Sequence, residues 1–137
     1  MKIHRFVLAA AITLALSACS AHSPMIMTNT TDSTTPEKVF PPGTEKIFLI
    51  PGPMPKGIEY DRISKIDFGK AWYGGAADAQ KAMADRAREL GANAIIEAST
   101  WTQPSGFSWA APHGSGVAVR VKDMKQLQAA GIKGEWH

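Results

Sequence analysis

The chain has 137 residues, 45% of them hydrophobic and 20% charged, enough for one domain around one core and too few for a multidomain enzyme. Its formal charge is +3, but Lys2 and Arg5 lie in an N-terminal segment with the pattern of a removable leader, and the rest of the chain carries thirteen basic against twelve acidic residues. A nearly neutral remainder offers no basic stripe, so nucleic acid is not an expected partner.

Met1-Lys2-Ile3-His4-Arg5 is a short basic start, followed by the apolar run FVLAAAITLAL from Phe6 to Leu16, broken only by Thr13. As a helix this run is about 16 Å long, well short of the roughly 30 Å core of a bilayer. A basic start, a short apolar run and small residues after it predict a secretory signal over residues 1–18. Leu16-Ser17-Ala18-Cys19 resembles the lipobox of bacterial lipoproteins. That resemblance implies cleavage before Cys19, a covalent diacylglycerol on its thiol and an N-acyl lipid on the new amine. Cys19 is the only cysteine in the chain, which leaves no thiol for a disulfide within the chain or for a thiolate metal cluster. Two or three acyl chains hold a protein on a membrane far more firmly than one. By the same resemblance, Ser20 after the cysteine is compatible with export to the outer membrane; the domain is expected to face the periplasm, with the cell surface as the alternative.

Residues 19–43 are rich in Ser, Thr, Asn and Pro, lack a sustained apolar period and close on Pro41-Pro42-Gly43. They read as a lipidated flexible tether; as a coil the 24 residues from Ser20 to Gly43 have a root-mean-square reach of about 25–30 Å. Folded structure is expected from 44 to 125, with 126–137 as a C-terminal tail that adds at most a short helical turn. Glu45 to Ile50 is a strand candidate ended by the prolines at 51, 53 and 55. Tyr60 to Tyr73 is a longer one, with Ser64, Ile66, Phe68, Lys70 and Trp72 on one face, Ile63 and Tyr73 on the other, and a bulge or bend at Gly69. Ala76 to Leu90 is the clearest helix, built from strong formers, with Asp78 in its first turn and a stripe of Ala79, Ala82, Met83, Arg86, Ala87 and Leu90. Gly91 is the expected left-handed cap. Asn93 to Ala98 is a third strand and Gly116 to Val121 a fourth, with Val117, Val119 and Val121 on one face. The order β-β-α-β-β predicts an α+β fold in which one helix packs on a small sheet.

The helix-to-strand junction, Ala84-x-x-Ala87-x-x-Leu90-Gly91-Ala92-Asn93-Ala94-Ile95-Ile96, resembles the YbjQ-like families and the RcsF-like lipoproteins related to them in fold. In those proteins such a helix feeds straight into a buried strand of a small α+β domain. The remainder, from Ile47-Phe48-Leu49 to the Gly-x-Ala-Val strand at Gly116, is similar to small envelope lipoproteins of Gram-negative bacteria. The resemblance covers the domain and not the tether. The chain lacks the cysteines of the disulfides that RcsF-like proteins carry, and no metal ligand set transfers from the family. YbjQ-like proteins assemble as rings, which makes a homo-oligomer one assembly to test; an envelope protein is the other.

After cleavage the histidines are His22 in the tether, His113 and His137. Zinc needs three or four ligands at set spacing, and no such set is visible, so no metal is expected. The sequence has no G-x-S-x-G elbow and no phosphate-cradling loop; Gly114-Ser115-Gly116 is only superficially similar. Glu97 is expected to be the solvent-facing member of an alternating strand. No catalytic residue is assigned, and no enzyme activity is expected. The unusual segment is WTQPSGFSWAAPHGSG, Trp101 to Gly116, longer than most hairpin loops. Trp101, Phe107 and Trp109 lie in it beside His113, and Trp72 and Tyr73 approach from the second strand. These six are the candidate interaction residues. Two outcomes stay open: the rings form an exposed contact surface, or they fold back over an open sheet face or extend the hairpin. The expectation is a non-enzymatic envelope lipoprotein presenting a small interaction domain. The alternative is a binder of a small molecule or cell-wall saccharide through the aromatic loop.

Overall fold

The computed structural model describes residues 28–32, 39–105 and 107–137. The leader, Cys19 and His22 lie outside the described residues. In chain order the elements are β1 (Thr28–Asp32), β2 (Phe48–Leu49), β3 (Tyr60–Lys70), α1 (Ala76–Glu89), β4 (Ala94–Ser105), β5 (Ser108–Val121), α2 (Met124–Ala129) and β6 (Glu135–Trp136). Among the described residues the strands form one sheet in the order β1-β3-β5-β4-β2-β6. All neighbours are antiparallel except β2 and β4. The fold is α+β, with α1 packed across the sheet.

α1 is set at both ends by its sequence. At its start the Asp78 carboxylate accepts a hydrogen bond from the Gly75 N–H at 3.2 Å, filling one of the donors a helix leaves open. At its end Gly91 takes φ +74°. There Ala92 N–H donates to the Ala87 carbonyl and Gly91 N–H to that of Arg88, the pair of bonds that closes a helix through a left-handed residue. Gly91 also has no room for a side chain: an added Cβ would stand 2.6 Å from Phe40 Cβ. The buried face of α1 is Ala79, Met83, Ala84 and Ala87, with Ala82 and Leu90 half-buried beside it. Arg86, expected in that stripe, instead reaches out to pair with Glu89 at 2.7 Å.

The two sheet faces bury separate apolar layers. Under α1 lie Ile47, Leu49, Ile63, Ile66, Phe68, Ile95 and Ala118. On the opposite face lie Phe48, Ile50, Ile96, Val117, Val119 and Val121, roofed by Ile58 and Leu127. Two expectations change here. The register of β3 on β5 shifts between Arg62 and Ser64, so the bulge is at Ile63 and not at Gly69, which pairs in register with His113. The extra residue brings Ile63 into the layer under α1 together with Ile66 and Phe68, where strict alternation had put it on the other face. Residues 126–137 are part of the domain and not a tail beyond it: Leu127 is fully buried, β6 pairs with β2, and Ile47 and His137 exchange two backbone hydrogen bonds of 2.8 and 3.0 Å.

The other differences bear on the site. Thr28–Asp32, inside the segment read as a tether, forms edge strand β1 on β3. The segment read as a loop from Trp101 to Gly116 is the outer half of a β4–β5 hairpin, paired rung by rung through Trp101↔His113, Thr102↔Pro112 and Gln103↔Ala111. Its prolines sit where they are tolerated. Pro112 lies beyond the last β3–β5 rung, and Pro104 lies at a register shift near the turn. A second bulge sets Glu97 and Ala98 opposite Gly116. Glu97 takes φ +54° and is exposed. At that bulge a Cβ on Gly116 would stand 2.5 Å from Ile95 Cγ2, a branched side chain inside the core. Gly116→Ala is therefore expected to destabilise the domain by about 1–3 kcal/mol. Urea unfolding is the check, through a lower midpoint at unchanged slope.

Candidate functional site: an aromatic end of the sheet

β3 leaves the sheet at Lys70, and the residues from Ala71 to Gly75 turn the chain into α1. Lys70 Nζ pairs with Asp78 Oδ2 at 3.3 Å, tying the end of the strand to the start of the helix. The Lys70 bond, then the Gly75 N–H and the Lys70 charge, hold the Asp78 carboxyl below its usual range. The hairpin turn is fastened to the same place, since Phe107 N–H donates to the Ala71 carbonyl at 3.1 Å. Two segments far apart in sequence thus meet at one end of the sheet.

Three of the six candidate residues come together there. Trp72 meets Tyr73 edge to face at 6.4 Å between ring centroids and Phe107 at 5.7 Å. All three are exposed, as is Trp109, which is 82% exposed on the hairpin beside the turn. Trp101 and His113 form a separate pair further in along the hairpin. Their rings stack at 5.9 Å with planes 22° apart, as directly opposed strand residues can. Trp101 Nε1–H donates to Gln103 Oε1 at 2.8 Å. His113 is only 2% exposed, so it supports the sheet and is not presented as a surface group. Of the outcomes left open by the sequence, the segment extends the hairpin, and Trp101, Phe107 and Trp109 are exposed on it.

Apart from the Lys70–Asp78 pair at its base, the segments that form this end are uncharged. No Asp, Glu, Lys or Arg occurs from Ala71 to Ala77 or from Ala98 to Val119. The opposite end carries Asp61, Arg62, Arg120, Lys122 and Asp123, near the Tyr60↔Val121 rung. Sequence reasoning missed a second feature, a groove of about 300 Å³ between Gln80 and Met83 of α1, the β4 bulge and the Lys133–Glu135 segment. Gln80 donates across its rim to Glu135 at 3.0 Å. Its walls come from segments with no shared local pattern, so nothing in the sequence pointed to it. Among the described residues no three His, Cys, Asp or Glu side chains come close enough to hold a metal ion.

Comparison with family models, curated proteins and solved structures finds no match to this chain.

Phe107→Ala and Trp109→Ala are expected to leave stability within about 0.5 kcal/mol, because neither ring is in the core. Thermal unfolding of each variant checks this. Asp78 behaves differently. Its pKa is lower folded than unfolded, so its stabilising share is complete above the ordinary value of 3.8 and is lost as pH falls through the folded value. Asp78→Asn is expected to lower Tm at neutral pH and to shrink the gap to wild type in acid, read by thermal melts from neutral pH to about pH 2.

Proposed function

We propose that this chain is a non-enzymatic envelope lipoprotein of a Gram-negative bacterium. In this reading acyl chains on Cys19 hold it to the outer membrane, and the α+β domain is an interaction module in the periplasm. The observation that carries the module reading is the set of exposed rings at one end of the sheet: Trp72 and Tyr73 in the β3–α1 connection, Phe107 in the hairpin turn and Trp109 at the start of β5. A domain this small has use for every aromatic in its core, and rings left in water together on one end of the sheet have a contact to make. The lipid anchor is supported by the lipobox-like Leu16-Ser17-Ala18-Cys19 and by the lack of any other cysteine. The Leu90–Ile96 junction supports kinship with the YbjQ-like and RcsF-like group. The non-enzymatic reading is supported by the sequence, which carries neither a nucleophile elbow nor a phosphate-binding loop. Among the described residues no helix is long and apolar enough to cross a membrane, so on this reading attachment depends on Cys19.

Cys19→Ala is the direct test. The wild-type chain is expected in the membrane fraction with acyl mass on its N-terminal peptide, and the variant in the soluble fraction. Undiminished membrane association of the variant, with no acyl mass on the wild type, would overturn the lipoprotein reading.

A further inference from the structure

We infer that the aromatic end of the sheet docks on the surface of the same bilayer that holds the acyl chains, so that the domain stands on its membrane with the β4–β5 turn down. This rests on the lipoprotein reading and names the partner of the exposed rings.

The first support is where the chain enters the fold. β1 runs antiparallel to β3 with Thr28 opposite Lys70 and Asp32 opposite Ile66. Residues before Thr28 therefore join the fold at the Lys70 end, beside Trp72, Tyr73 and the hairpin turn. Cys19 precedes Thr28 by nine residues, which span at most about 30 Å. The eleven residues of β3 put the charged end of the sheet about 35 Å further along the strand axis. The anchor is thus tied to the aromatic end and held back from the charged one.

Chemistry is the second support. Trp, Tyr and Phe favour the headgroup boundary, where an apolar ring body and a polar edge are both satisfied. Charged side chains at that depth are costly, and this end carries none from Ala71 to Ala77 or from Ala98 to Val119. Lys70, just behind it, is already paired with Asp78. Protein-binding patches carry Arg anchors and a polar rim whose charges set the register of the partner; here the one charged group is the self-paired Lys70–Asp78 at the base, and the neutral rings beyond it offer a bilayer contact area without asking for register. The backbone also suits the site. The two strands pair up to Ser105↔Ser108, and Phe107 N–H is bonded to the Ala71 carbonyl, so main-chain bonds fasten the turn at the lipid boundary.

The test uses the full lipidated chain in vesicles of phosphatidylethanolamine and phosphatidylglycerol with brominated acyl chains. One form keeps Trp109 and replaces Trp72, Trp101 and Trp136 by Phe; a second keeps only Trp136, which packs against Phe48 on the β2–β6 edge. The expected result is loss and blue shift of Trp109 emission, with Trp136 emission unchanged. Because the contact is made by neutral rings, raising the salt should not reverse it. A chain that floats with the vesicles while Trp109 stays unquenched, or is quenched no more than Trp136, overturns the docking and leaves the lipoprotein reading standing. A chain that neither floats nor carries acyl mass on Cys19 removes both. Photo-crosslinking in cells from a probe at residue 109, with every other residue native, gives the answer without the triple replacement. Phospholipid adducts support the docking, and a discrete protein adduct without them overturns it in favour of a protein partner.

Discussion

The close approach of α1 to β5 is the constraint on which the rest of this fold depends. The helix-facing positions of β5 are Gly114, Gly116 and Ala118, and the helix answers with Ala79, Met83 and Ala87, all buried. A Cβ at Gly114 would already stand 3.0 Å from the Met83 methyl carbon. Stripping both surfaces of bulk lets backbone lie near backbone and leaves Met83, the most adaptable apolar side chain, to fill the space that remains. The same strand carries Val117, Val119 and Val121 on its other side. One strand thus supports both apolar layers and, at its far end, holds up the exposed aromatic tip.

That arrangement explains which parts were legible in the sequence. α1 was readable almost to the residue, because its formers, its first-turn Asp78 and its Gly91 cap are local signals that agree with one another. The Val117-Val119-Val121 alternation was readable for the same reason. The outer half of the hairpin was not. Pro104, Pro112 and the Gly and Ser residues between Trp101 and Gly116 have the composition of a turn, and what makes them strands is pairing with partners that local pattern does not name. β1 was hidden differently: Thr-Asn-Thr-Thr-Asp has no apolar alternation, and an edge strand needs none. The bulge at Ile63 escaped because one inserted residue reverses the face of everything beyond it while leaving composition untouched. As for the site, the residue types were legible and their roles were only partly so. Trp72, Tyr73 and Phe107 meet as one group, while His113, counted with them as a candidate interaction residue, is a buried support under Trp101.

Two ends of one small domain have been given opposite characters. Around the Tyr60↔Val121 rung lie carboxylates and basic side chains, including the surface pair Lys122–Glu59 at 3.1 Å. Such a pair is worth little and mainly keeps that end in water. Around the hairpin turn lie rings and small neutral residues. A long antiparallel sheet makes such a separation easy, because successive rungs along a strand change position by only about 3.4 Å each and a dozen of them carry the surface from one solvent preference to another. The groove beside Glu135 lies between these ends and belongs to neither.

The five rungs of β1 on β3 also decide how the domain bears load. Tension applied at Thr28 along the strand axis runs parallel to β3 and not across the ladder. The rungs from Thr28↔Lys70 to Asp32↔Ile66 are then strained together in shear instead of parting one after another like a zipper. Sideways force would peel the strand from its first rung and would need to break only one bond at a time. An edge strand made entirely of polar residues therefore acts as a mechanical clamp, strongest when the pull and the strand share one direction.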